Sequence, residues 1–180
     1  MSVWIGPAIV AAVISGLITA LGWWASHYSS RRIETSRRSE RVKDIQTALR
    51  AEMRSHRQRL LLFADGQATQ STSKRIAESD GSGRFTPFVP REVDSFIFVA
   101  VAKEVHILPT AVIDPVVLYY RQVHALAQFA EDMRSERFDN LEPARKAEMY
   151  ADYVSLGVYA LQLAEEAIQA IDRSLVDEDQ

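Results

Sequence analysis

The chain contains no cysteine, which excludes a disulfide framework, thiolate catalysis and any cysteine-ligated metal site. Glycine and proline are sparse, at seven and six in 180 residues, and no glycine-rich phosphate loop or dinucleotide fingerprint occurs. No Gly-x-Ser-x-Gly is present, so no nucleophile elbow is suggested. The most informative absence is local. Residues 1–30 carry no Asp, Glu, Lys or Arg.

What is present falls into three electrostatic zones. Behind the uncharged start, residues 31–59 hold ten basic and four acidic side chains, a local charge of +6. Residues 60–180 hold 11 basic and 20 acidic side chains, a charge of −9. The formal total of −3 conceals this asymmetry, which bears on partners more than the sum does.

From Val3 to Trp24 only Ser15 and Thr19 are polar. An uncharged run of about 20 residues matches the roughly 30 Å hydrocarbon core of a bilayer. Trp4 at one end, and Trp23, Trp24 and Tyr28 at the other, read as interfacial aromatics, since an indole has an apolar body and a polar N–H. A cleavable signal peptide is the rival reading. It would need a basic start and a small-residue cleavage site, and here tryptophans stand where cleavage would fall. The segment is therefore expected to be a retained transmembrane helix, with the lipid bilayer as its first partner. Because ten Lys/Arg follow the span and none precede it, the expected topology is single-pass in the inner (cell) membrane. The N-terminus would lie outside and the C-terminal domain in the cytoplasm.

Within the span Ala8, Ala12, Gly16 and Ala20 recur every four positions, a small-residue ridge suited to helix–helix contact. Arg31, Arg32, Arg37, Arg38, Arg41 and Lys43 lie just beyond it and suit anionic headgroups. Residues 31–63 read as one long helix on which Val42, Ile45, Leu49, Met53, His56, Leu60 and Phe63 form a single stripe. Such spacing fits a coiled-coil seam and, with the ridge, a homodimer through anchor and neck. Nucleic-acid binding by these arginines is disfavoured, because no aromatic residue interleaves with them between Ile33 and Leu62.

Asp65 to Pro90 is rich in Ser, Thr, Gly and Pro with little periodicity, and reads as a flexible loop. A short helix around Ser73–Ser79 is conceivable, and Phe85, Phe88 and Val89 are expected to dock on the C-terminal helices. There are three such segments. One spans roughly 92–106, with Val93, Phe96, Ile97, Ala100, Val101 and Val105 facing inward. A second is expected to be capped by Asp114, with Pro115 at its first position, and to run to about Arg134. A polar turn at 134–138 leads to the last, which starts near Asn140 and ends near Val176. Its inward residues are Met149, Tyr153, Leu156, Ala160, Leu163, Ala167 and Ile171. No segment alternates as a strand would. The fold expected is all-α: an anchor (1–28), a basic juxtamembrane helix (29–64), a loop (65–90) and a small antiparallel helical bundle (91–180).

Chemistry is hard to find in the pattern. Of the four histidines, His27, His56, His106 and His124, only His56 lies on the neck stripe, on one helix face with Glu52. No His-Glu-x-x-His or Glu-x-x-His motif accompanies it, so neither a metal nor a cofactor is expected. Glu165 and Glu166 are adjacent and point about 100° apart, which excludes a paired-carboxylate site. Tyr119, Tyr120, Tyr150, Tyr153 and Tyr159 cluster in the last two helices, where tyrosines serve a core more often than an aromatic ligand box.

The segment LGWWASHY, after an N-terminal span and before a charged helix, resembles the phage inner-membrane spanins. The likeness covers anchor and neck only, and it implies a periplasmic C-terminal domain, opposite to what the basic flank implies. The chain is thus open to two functional expectations. The first is a non-enzymatic membrane-anchored protein presenting an interaction or scaffold domain to a cytoplasmic protein partner. The alternative is a phage lysis or envelope-spanning component of inverted topology.

Overall fold

The computed structural model describes residues 34, 36–79, 89 and 95–177, and among them every regular element is helical. The chain divides into two compact units, Met1–Lys43 and Asp44–Gln180. Of the first, residues 36–43 are described in full, and they are helical. The predicted anchor lies outside the described residues. Among those described, no helix is long and apolar enough to cross a membrane.

The second unit is a helical bundle. Residues 44–60 form α1, followed by a 3₁₀ turn, Leu61–Ala64. Then come α2 (Gly66–Ala77), α3 (Phe96–Val101) and a 3₁₀ stretch (Ala102–Ile107). The chain ends with α4 (Thr110–Asp132), α5 (Glu136–Asp139) and α6 (Pro143–Asp177). The longest, α6, is the backbone of the unit and packs against both α4 and α2. It can do so because Tyr153, Ala160, Leu163, Ala164, Ala167, Ile168, Ile171 and Leu175 are all buried, an apolar arc wider than one neighbour needs. Met149 and Leu156, placed on the same face by periodicity, are only partly buried. Arg50 and Arg54 meet Asp172, while Arg57 meets Glu165, so α1 lies antiparallel to α6.

The structure corrects four sequence expectations. The neck stripe is not an open seam: Ile45, Leu49, Met53, His56 and Leu60 are buried within the chain's own bundle. Residues 66–77 are helix and not loop. Asp65 caps α2 by accepting from the N–H groups of Gln67 and Ala68, both at 3.1 Å, and Ile76 pins the helix to the core with no exposed surface.

The third correction concerns α4, which starts at Thr110, not after Asp114. The Pro109 carbonyl accepts from Val112 and Ile113, and burying Val112 outweighs the bond that Pro115 cannot donate inside the helix. The fourth concerns the helix expected over roughly 92–106, which is one short helix, Phe96–Val101, that then tightens to 3₁₀. Phe96, expected inside, is 70% exposed, and Phe98 packs inward instead.

The expected polar turn contains α5, capped by Ser135 and anchored by the buried Phe138. The Lys146 ammonium donates to the Asp139 carbonyl at 2.9 Å, closing the C-terminus of that short helix. Val89 is buried as expected, and Arg134 donates twice to its carbonyl, from Nε and Nη2, at 3.1 Å each. Phe85, Phe88 and Val93 lie outside the described residues.

Candidate functional site

Two side chains one turn apart on α1 meet two adjacent tyrosines on α4. Positions 52 and 56 share a helix face because four residues nearly complete a turn. Glu52 faces Tyr120 and His56 faces Tyr119. The Tyr120 hydroxyl donates to Glu52 Oε2 at 2.6 Å, and His56 Nδ1 lies 2.8 Å from the Tyr119 hydroxyl. All four residues are buried.

Glu52 does more than bind a tyrosine. Its Oε1 accepts from the Ile97 N–H at 2.7 Å and its Oε2 from the Phe98 N–H at 3.1 Å. These are the second and third amides of α3, the ones an N-cap side chain ordinarily satisfies. Ser95, at the cap position, makes no such bond. A carboxylate from another helix therefore caps α3. The Phe98 ring then stacks on Tyr120, with centroids 3.9 Å apart and planes 11° from parallel.

Burial disfavours the imidazolium of His56 and the phenolate of Tyr120. The His56 pKa is lowered, first by desolvation and then by the Arg59 guanidinium, with Glu52 acting in the opposite sense. The Tyr120 phenol is pushed well above its ordinary range by burial and by its bond to the Glu52 carboxylate. Both serve to join α1, α3 and α4.

Beside the His56–Tyr119 pair opens a cavity of about 460 Å³, between the end of α1, α2, α4 and α6. Leu60, Phe63, Leu126, Tyr153 and Val154 supply much of its apolar wall, with Tyr150, Thr69 and Arg59 among its polar residues. Phe63 meets Tyr153 edge-on, with centroids 5.1 Å apart. Of the tyrosines clustered by sequence, Tyr119, Tyr150 and Tyr153 come together here. Tyr120 points to the Glu52 junction, and Tyr159 is half exposed.

No family model, curated protein or solved structure matches this chain. The candidate site is thus defined by its geometry alone.

The other residues singled out by sequence are dispersed. Ala8, Ala12, Gly16, Ala20, Arg31, Arg32, Trp4, Trp23, Trp24, Tyr28 and His27 lie outside the described residues. Arg37, Arg38, Arg41 and Lys43 are helical and exposed. His106 Nδ1 lies 2.9 Å from the Lys103 carbonyl oxygen, and His124 is exposed. Among the described residues no group of three His, Asp or Glu side chains is arranged to hold a metal ion. Glu165 and Glu166 diverge as their spacing requires, the first to Arg57 and the second to Gln162.

Sequence reasoning missed the α3-capping role of Glu52 and the pocket position of Arg59. The capping role left a trace, since Glu52 and His56 share a face and Tyr119 and Tyr120 are adjacent. Arg59 left none: in sequence it is one arginine among ten basic residues.

Proposed function

We propose that this chain is a non-enzymatic, single-pass membrane protein that presents its helical bundle to the cytoplasm as an interaction module. The observation carrying the reading is the charge pattern: no charged side chain in residues 1–30, then ten Lys/Arg over residues 31–59.

The bundle sorts those basic residues into two groups, which supports the reading. Arg50, Arg54 and Arg57 pair with acids of α6, and Arg37, Arg38, Arg41 and Lys43 are exposed and lie nearer in sequence to the proposed anchor. The second group stands where anionic headgroups would meet it. The buried Glu52 and His56 join α1 to α3 and α4, which favours a structural role for this pair over catalysis. With the neck stripe used inside the chain, self-association in this reading rests on the ridge of Ala8, Ala12, Gly16 and Ala20 within the anchor.

Fusing alkaline phosphatase to the C-terminus tests the topology. An inactive fusion at normal expression is expected, because the enzyme matures only outside the cytoplasm. An active fusion overturns the reading and gives the envelope-spanning alternative its place. Replacing Ile14 with Arg tests the anchor, since a charge at mid-span costs about 2.5–3.5 kcal/mol on insertion scales. The variant should leave the alkali-resistant membrane fraction that wild type occupies.

A further inference from the structure

The cavity between α1, α2, α4 and α6 plays no part in membrane anchoring, and its lining is specific in chemical character. Its size, about 460 Å³, lies within the range of small-molecule sites, and its wall is largely aliphatic and aromatic. The buried polar pair at its edge, His56 and Tyr119, is already joined by a hydrogen bond. Among the described residues that line the cavity, one carries a charge: Arg59.

The cationic side chains along α1 have different fates. Arg50 and Arg54 share Asp172, and Arg57 holds Glu165. Among the described residues Arg59 has no ion-pair partner, and no carboxylate lines the cavity it borders. Arg59 is only partly exposed and lies close enough to His56 to disfavour the imidazolium. A guanidinium at the edge of an apolar space matches a carboxylate, which it binds through two parallel N–H···O bonds. A phosphate dianion would call for a second cation, and none lines the cavity among the described residues. At the rim, Leu62 is 79% exposed, so a bound apolar body would also cover surface now left in water.

We infer that this cavity is a binding site for a small monocarboxylate with an apolar body. The body would lie against Phe63, Leu126, Tyr153 and Val154, and the carboxylate would meet Arg59. The site requires no change in the chain's covalent state and is independent of which side of the membrane the bundle occupies.

The test is calorimetric titration of the full-length protein in lipid nanodiscs with phenylbutyrate, with empty nanodiscs as the blank. Phenylbutanol, carrying the same body without the charge, is titrated in parallel. Saturable one-to-one binding of the acid is expected. Arg59→Gln should weaken the acid about ten-fold or more, as loss of a charged hydrogen-bond pair does, and should leave the alcohol unchanged. Unchanged alcohol binding also shows that the variant keeps its pocket. Ala68→Trp, at an exposed position of α2 on the cavity lining, should obstruct both ligands without touching the core. The inference is overturned by acid heats that match empty nanodiscs. It is overturned equally by acid affinity that ignores Arg59→Gln, or by full acid binding to Ala68→Trp at a wild-type melting temperature.

Discussion

His56 Nδ1 lies 2.8 Å from the Tyr119 hydroxyl, with both side chains buried between α1 and α4. The bond gives His56 a partner for a ring nitrogen taken out of water. Removing the Tyr119 hydroxyl strands that nitrogen, at a cost of about 1–3 kcal/mol. Tyr119→Phe should therefore lower the stability of the full chain by about that amount, read by urea unfolding in nanodiscs.

The same pair makes stability depend on pH. The groups facing His56 are Tyr119 and Glu52 with Arg59, and the net result is a pKa below the ordinary value of 6.5. As pH falls through about 6.5, the unfolded chain takes up a proton that the folded protein resists, so the unfolded state binds more protons. Stability should be complete above that point and fall progressively below it, down to the folded pKa. His56→Gln should flatten this decline. A wild-type curve that is level between about pH 7 and pH 5.5 would show that His56 titrates freely.

Glu52 gives a second test, at the other end of the pH scale. It receives the Tyr120 hydroxyl and two amides of α3. Glu52→Gln keeps the shape but loses the charge and one full acceptor, and should cost about 1–3 kcal/mol while speeding amide exchange at Ile97 and Phe98. The Tyr120 phenol holds its proton more tightly in the folded state. Above about pH 10 the unfolded chain alone gives up that proton, so stability should fall as pH rises, and Tyr120→Phe should remove this component.

These junctions mark where sequence reading succeeds and where it stops. Periodicity found the buried apolar positions of α1, though not Gln46 or Glu52, and part of the buried face of α6, because a long amphipathic helix repeats its signal. It failed for α2, whose TQSTSKR run carries no apolar stripe and whose one fully buried side chain is Ile76. It misplaced the start of α4, because the local rule for Asp114-Pro115 lost to the burial of Val112 two residues earlier. The cavity was out of reach for another reason. Its lining comes from four helices and the 3₁₀ turn after α1, and no spacing along the chain announces that Arg59 and Tyr153 share a space.

Leu49 separates a bundle core from a dimer seam. It has no exposed surface within a single chain. Leu49→Ala should destabilise the protein by about 2–5 kcal/mol through lost burial and the cavity left behind. The loss should be independent of protein concentration, since the contacts are internal. A midpoint that moves with concentration in wild type, and ceases to move in the variant, would restore the seam.

Gly157 sets the sharpest steric constraint behind the cavity wall. A Cβ built there would stand 2.4 Å from Phe63 Cγ and 2.6 Å from each Cδ, inside any real contact distance. These are atoms at the root of the ring, so a small rotation of a flexible tip cannot clear them. Two effects of opposite sign then compete in Gly157→Ala. Helix propensity favours alanine by about 1 kcal/mol in the interior of α6. Forcing Phe63 off its seat, and off its edge contact with Tyr153, costs about 1–3 kcal/mol. Overpacking should prevail, so the single variant is expected to be less stable than wild type. In a Phe63→Ala background the clash is gone and only propensity is left. There the same Gly157→Ala change should stabilise by about 1 kcal/mol. The sign reversal across this double-mutant cycle is the measurement. If Gly157→Ala has the same effect with and without the ring, then Phe63 does not rest on α6 at this position, and the cavity lacks the wall described for it.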